Sequence, residues 1–327
     1  MGIEGTKVIR GRYSEEVREE EIPKKSIVDR IKRKVGSFEL YLILLPLVIW
    51  YVLFAYKPMY GLVIAFQDYN LFKGIAGSDW VGLANFKEFL SSPYFYVTLK
   101  NTFMLSIYGL VFEFPLAIFL ALMLNEVRNK YFKSFIQTAS FIPYFVAIVV
   151  AAGITINVLS PSTGVVNFIL EKLGFERQYF LSRPEYFRGI FVGLNIWKET
   201  GFNAIVYMAA LAGVDQALYE AAKIDGANKF KQLLHITIPS IMPTIVIMLI
   251  LRIGKMLNVA FETVLLLYQP ATYSTSDVIS TYVYRTGMLS QDFGLSTAVG
   301  LFNAIIGFVL VYGANRLSRR FTESSLW

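Results

Sequence analysis

The chain has 327 residues, 55% of them hydrophobic and 17% charged, with a net charge of +7, one histidine and no cysteine. So apolar a composition excludes an ordinary soluble domain, and the lack of cysteine excludes disulfide frameworks and thiolate metal sites. A cationic surplus suits nucleic acid, but in an apolar chain it more simply marks lysines and arginines held on one side of a membrane, so no nucleic-acid partner is expected.

Residues 1–37 are polar and carry Lys24, Lys25, Arg30, Lys32, Arg33 and Lys34 beside the acidic run Glu19-Glu20-Glu21. No cleavable signal peptide is read here, because the stretch ends in charge rather than in small residues. The expectation is a cytoplasmic N-terminal tail, unfolded in composition over residues 1–25. From Ser26 onward Ile27, Val28, Ile31 and Val35 recur at helical spacing opposite cations, which predicts a helix on the inner leaflet. Residues 38–327 form the second region, a transmembrane domain.

Apolar runs of about 20 residues, enough to cross a bilayer core as a helix, predict six spans near residues 39–62, 98–124, 134–159, 188–212, 239–268 and 296–317. The cations test this layout, since cytoplasmic loops hold the excess of Lys and Arg. Arg30 to Lys34 precede the first span, and Arg128, Lys130 and Lys133 follow the second. Lys223, Lys229 and Lys231 follow the fourth, and Arg316, Arg319 and Arg320 close the sixth. All lie on one side when both termini are cytoplasmic. The opposite loops, near 63–97, 160–187 and 269–295, carry fewer cations per residue.

The loop after the first span contains Lys57-Pro58-Met59-Tyr60-Gly61, Ala65-Phe66-Gln67-Asp68-Tyr69-Asn70, Trp80-Val81-Gly82-Leu83 and Asn85-Phe86. Its Gly, Asn and aromatic residues suit a segment at headgroup level on the outer side. A passive cap and a surface that receives a binding protein are both open readings. Further on, Gly189 and Gly193 form a GxxxG, a spacing that lets two helices pack closely.

The segment Tyr219 to Pro239, YEAAKIDGANKFKQLLHITIP, is polar and helix-prone between two apolar runs. Asp225-Gly226 interrupts it, because Gly adopts backbone angles that other residues avoid, and Pro239 is placed at the start of the next apolar helix. This predicts a helix–turn–helix lever in the loop 213–239, with the single histidine, His235, as a surface residue. The spacing Glu220-Ala221-Ala222, three residues, Gly226, nine residues, Ile236-Thr237-Ile238-Pro239 resembles the EAA signature of binding-protein-dependent importer permeases. The one departure is Ile238 where the family pattern has Leu. The loop after the first span is similar to that of the polysaccharide-type sugar permeases, related to the maltose and alginate importers, and the resemblance runs from about Phe38 to Trp327.

That resemblance implies an all-α membrane fold of the type I ABC importer class, six transmembrane helices with a cytoplasmic coupling helix. It implies a second homologous permease subunit, two ATP-binding subunits and an extracytoplasmic solute-binding protein as partners, in a bacterial inner membrane. Glu220, Ala221, Ala222, Asp225, Gly226 and Pro239 then form the ATPase-coupling segment. No Walker A pattern occurs; Gly254-Lys255-Met256 is the nearest fragment and lacks the upstream glycine and the Ser/Thr. Nucleotide and Mg are therefore expected in the partner ATPase, and no cofactor in this chain. Nor is there an Asp-x-Asp pair, a metal-spaced cluster or an activated nucleophile, so the chain is expected to be a transporter subunit, not an enzyme.

Charges inside spans cost about 2.5–3.5 kcal/mol at mid-bilayer and usually face a cavity or a partner. Glu113, Lys198, Glu199, Arg252, Lys255 and Glu262 are such residues. At roughly 100° per residue, Arg252, Lys255, Asn258 and Glu262 fall within an arc of about 120° on a continuous helix. With Trp197 and Glu199 of span four they are the candidate lining of a sugar pathway. Two readings stay open: Arg252 and Lys255 contact sugar, an acidic one included, or Arg252 neutralises Glu199 or Glu113 while Lys255 meets the other permease. Aromatic residues such as Tyr207 and Phe261 are candidates for stacking on sugar rings. The alternative function, a stand-alone secondary carrier or channel for sugars, explains six spans and buried charges but not the lever. An enzyme acting on lipid-linked sugar lacks its carboxylate or metal site.

Overall fold

The computed structural model describes residues 38–257 and 259–321. The predicted tail and surface helix of residues 1–37, and Asn258, lie outside them. Within hydrocarbon a backbone must satisfy its own N–H and C=O groups, and a single segment does so only as a helix. The fold is accordingly helical, and the one sheet among the described residues is a two-stranded antiparallel ribbon, Gln67–Asp68 against Asp79–Trp80.

The chain divides into two units at Tyr60 and Gly61. In the first, helix α1 (Phe38–Tyr51) runs into a π-turn, Val52–Tyr56. In the second, the short helix α2 (Ala84–Ser91) precedes α3 (Pro93–Tyr108), which passes through a π-turn at Gly109–Glu113 into α4 (Phe114–Glu126). Then come α5 (Lys130–Phe141), α6 (Ile148–Val158), α7 (Val165–Lys172) and the long α8 (Pro184–Ala212). The remainder is α9 (Gln216–Ile224), α10 (Lys229–Gln232), α11 (Ile238–Gly254), α12 (Phe261–Leu267), α13 (Ile279–Tyr284) and α14 (Phe293–Phe321).

Four helical runs are long and apolar enough to cross a membrane alone: Tyr41–Phe66, Pro93–Glu126, Lys229–Gly254 and Phe293–Arg316. Among the described residues the number rises to six if each of two bent pairs is one span, Lys130–Phe145 with Ile148–Val158 at 101° and Pro184–Ala212 with Gln216–Ile224 at 68°. The third span is thus not the straight run over 134–159 that hydropathy predicts. Pro143 sits in a 3-10 turn, Ile142–Phe145, and Val146 is extended. The break frees the Tyr144 carbonyl, and Lys198 Nζ of α8 donates to it at 2.9 Å. The same ammonium lies 5.1 Å from the Tyr144 ring, which stacks on Phe202 at 3.8 Å. Lys198, a charge inside the fourth span, therefore caps a broken helix.

The fifth span also departs from expectation. Helix α11 stops at Gly254, where the Lys255 and Met256 N–H groups bond back only three residues, to Arg252 and Ile253. Helix resumes at Phe261. Gly254 is a poor helix former, and α14 approaches it so closely that a Cβ there would lie 3.1 Å from Val311 Cγ2. Arg252, Lys255 and Glu262 consequently do not form the predicted arc on one helix.

Helix α8, roughly 43 Å long at 1.5 Å per residue, is the element on which the others pack. Phe187, Phe191, Leu194, Ala204, Tyr207 and Leu211 are buried along it. Gly201 lets α5 come close, since a Cβ there would strike the Ser140 carbonyl. Gly189 and Gly193 have open space instead, so the GxxxG makes no close helix packing within the described chain.

Between α12 and α14 the chain is held by ions and hydroxyls. The Arg285 guanidinium is bidentate on the 1%-exposed Asp277, at 3.1 and 2.7 Å, and Thr281 donates to the same carboxylate at 2.8 Å. Burial alone would lower the Arg285 pKa, but hydrogen bonding to Asp277 and its charge raise it above its ordinary value. Arg188 of α8 donates to Asn101 of α3, which donates to the Asp277 carbonyl at 3.1 Å. Removing one member of a buried pair strands the other. Asp277→Asn is expected to destabilise the purified protein by about 3–5 kcal/mol, read as thermal unfolding in detergent, and Asp277→Asn with Arg285→Gln by less.

Candidate functional site

Two features stand out: the turn between α8 and α11, and a charged cavity above it. Asp215 opens the turn by accepting the Ala217 N–H at 2.9 Å, capping α9. Its other end closes with Gly226 at φ +74°, where the Ala227 N–H bonds the Ala222 carbonyl at 2.8 Å and the Gly226 N–H that of Lys223 at 3.1 Å. That is a Schellman cap, and the left-handed residue it needs is most cheaply glycine. Asn228 then caps α10 by accepting the Lys231 N–H at 2.8 Å.

The turn is tied to the spans at several points. Lys229 Nζ pairs with Glu126 at the end of α4, 2.8 Å away. Tyr219 and Thr237 hydroxyls lie 3.0 Å apart, and Gln232 donates to the Ala227 carbonyl at 2.9 Å. Glu220, Ala221, Asp225 and Gly226 are exposed and Ala222 is half-buried. Leu218, Ile224 and Phe230 are exposed beside them, Ile224 at 87%. His235 is exposed too.

Pro239 is the second residue of α11, at the start of the apolar helix as expected, but the helical run does not begin there. The helical run starts at Lys229 and passes through Pro239 without a break, because a π-turn, Leu233–Thr237, precedes it. The Ile238 N–H bonds Leu233, five residues back. The wider turn relieves the clash a proline ring makes with the carbonyl four residues earlier.

The cavity, of about 340 Å³, lies among α3, the π-turn after it, α4, α8 and the broken end of α11. Arg252 of α11 forms an ion pair with Glu113, which is 6% exposed at the end of the π-turn. Gly109 makes room, since a Cβ there would collide with the guanidinium. Ser106 Oγ donates to the Met256 carbonyl, freed where α11 unwinds. Asn195, Glu199, Asn203 and Tyr207 line one wall, four residues apart along α8, and Lys255, just past the end of α11, also lines the cavity. This wall offers amide, carboxylate and phenol groups for hydrogen bonding beside apolar surface.

The structure brings Glu199, Arg252 and Lys255 together in this cavity. Of the two readings left open for Arg252, pairing with Glu113 is realised, and the pair itself lines the cavity. Trp197 is elsewhere, in an apolar groove of about 520 Å³ with Gly189, Gly193 and Ile154. Glu262 is exposed on α12 and absent from the lining, and Asn258 lies outside the described residues. Asn195 and Asn203 were not singled out from the sequence. Their spacing with Glu199 and Tyr207 was the signal: polar groups at every fourth residue of an apolar run mark one helix face.

Residues 113–323 match the family described as binding-protein-dependent transport system inner membrane component. The chain is 43% identical over 288 residues to protein LplB of Bacillus subtilis, covering 88% of this chain and 91% of that protein. It is 44% identical over 288 residues to the polygalacturonan/rhamnogalacturonan transport system permease protein YteP of the same organism, covering 88% and 90%. Its fold superimposes with a TM-score of 0.84 on a chain of a bacterial alginate ABC transporter, solved in complex with an alginate pentasaccharide-bound periplasmic protein. That pair shares 45% identity over 92% of this chain and 99% of the other. The fold is thus that of an ABC importer permease, and the chain belongs to the family of binding-protein-dependent transport system inner membrane components.

Proposed function

We propose that this chain is the permease subunit of an ATP-driven importer of oligo- or polysaccharide, working by alternating access. The observation that carries the reading is the capped, exposed turn Gln216–Gln232, bound to α4 and continuous with the helix that ends in the cavity. Its exposed face mixes Glu220 with Leu218, Ile224 and Phe230, a surface suited to a protein cleft rather than to water. An ATPase subunit receives that face on the cytoplasmic side, with Glu220 against a basic residue of the cleft. Both termini are then cytoplasmic, in agreement with the distribution of Lys and Arg. A second permease completes the pathway, two ATPase subunits supply ATP hydrolysis with bound Mg, and a solute-binding protein delivers the sugar. Closure of the ATPase pair moves the turn, and rocking of the two permeases exposes the cavity to alternate sides. The likeness to permeases of polygalacturonan and alginate importers supports sugar as the cargo.

Two experiments test this. Gly226→Asp places a side chain at φ +74° and breaks the cap. Uptake by vesicles is expected to fall while ATP hydrolysis and co-purification of the subunits persist; undiminished uptake overturns the coupling role. Asn203→Trp fills the cavity from α8. The assembled complex is expected to remain stable but to lose sugar uptake, and transport at the wild-type rate would remove this cavity from the pathway.

A further inference from the structure

Helix α2 has two faces, and only one is accounted for. Phe89 points inward and is 1% exposed, with its ring 5.3 Å from Phe95, 5.5 Å from Tyr282 and 5.8 Å from Phe302. Asn85 fixes the helix by donating to the Ala65 and Gln67 carbonyls, each at 3.0 Å. On the adjoining face Leu83, Phe86 and Leu90 fall within about 60° of arc, with Lys87 beside them, lining an open hollow of about 680 Å³; Phe86 is half-buried, its ring 5.4 Å from Phe66. Leu83 is 67% exposed and Leu90 48%.

The depth of this face follows from its neighbours. Serine 92 alone separates α2 from α3, and its Oγ caps the spanning helix by accepting the Tyr94 N–H at 3.1 Å. Phe302, against which Phe89 packs, lies about 13 Å along α14 from Phe293 at 1.5 Å per residue, inside the run that crosses the membrane. The far end of the α3–α4 run, Glu126, is paired with the coupling turn, so α2 is at the opposite membrane surface. Exposed Trp80, Tyr94 and Tyr96 surround it, with Lys100 lying 5.8 Å from the Tyr96 ring. Amphipathic aromatics beside cations are the composition of the level between headgroups and acyl chains.

We propose that Leu83, at the N-cap of α2, and Leu90 are embedded in the lipid leaflet opposite the coupling turn, with the open edge of Phe86 between them and Lys87 reaching the headgroup phosphates. The helix anchors the outer end of the second span, and its apolar face is lipid-covered rather than a docking surface for the solute-binding protein. A helix with apolar residues on one side and a cation at the boundary binds in this way.

The chain has no cysteine, so single labels are unambiguous once partner-subunit cysteines are replaced. Spin labels at Leu83→Cys, Leu90→Cys and Glu88→Cys would be placed in the assembled transporter in phosphatidylethanolamine/phosphatidylglycerol nanodiscs. The ratio of oxygen to Ni–EDDA accessibility is expected to be several-fold higher at positions 83 and 90 than at 88. Brominated acyl chains should quench a bimane at 83 and 90, and adding the binding protein should leave those signals unchanged. Ni–EDDA access at all three positions overturns the proposal in favour of water. Labels at 83 and 90 shielded from both reagents, or altered by the binding protein, overturn it in favour of a protein partner.

Discussion

No backbone polar group can be left unpaired inside a bilayer, and most of this structure follows from that constraint. A continuous helix meets it without help, whereas every break needs a partner from elsewhere. Pro143 breaks the third span, and the Tyr144 carbonyl is recovered by Lys198. Gly254 ends α11, and the Met256 carbonyl is recovered by Ser106. Two side chains that look out of place in apolar runs are therefore the groups that allow those runs to bend. The bends matter, because unwound backbone at membrane depth is tolerated where it is buried in protein or lines a cavity.

The ion pair between Arg252 and Glu113 obeys the same logic for charge. An isolated guanidinium or carboxylate at this depth is costly, and pairing them removes most of that cost without requiring a net gain in stability. Arg252 also lies in the last turn of α11, where a cation is favoured by the helix dipole. The pair needs space, which Gly109 and the π-turn after it provide. π-turns recur at functional sites because they aim a side chain that a regular helix would point elsewhere. Here the turn ends in Glu113 and aims it at the cavity.

How much of this the sequence revealed depends on the range of the interactions. The turn Gln216–Gln232 was legible because its caps are local: Asp215, Gly226 and Asn228 bond groups within five residues of themselves. The spans were legible as apolar runs but their breaks were not, since Pro143 and Gly254 act through residues more than fifty positions away. Extending one helix from Pro239 to Tyr268 produced a polar stripe on a stretch that the break after Gly254 divides. The stripe that lines the cavity is Asn195, Glu199, Asn203 and Tyr207, on a helix that does run unbroken. Glu113 was visible as a buried charge, but its partner is 139 residues away and only the fold selects Arg252 over the other cations.

The route from turn to cavity is short and stiff. From Lys229 to Gly254 the chain is one helical run, with its start pinned to Glu126 and its end at Arg252. Packed helices move as bodies rather than bend continuously, so a displacement imposed at the turn reaches the cavity wall along this run. Two features set where it yields: the π-turn at Leu233–Thr237 and Pro243 within α11. The π-turn lies near the start of the run and Pro243 just past its middle, and both weaken the ladder of hydrogen bonds locally. The stretch after Pro243, which carries Arg252, has no further proline or π-turn before Gly254. On the proposed mechanism, displacement of the turn would tilt the segment that holds Arg252, and its ion pair with Glu113 on another span ties that segment to another part of the cavity wall.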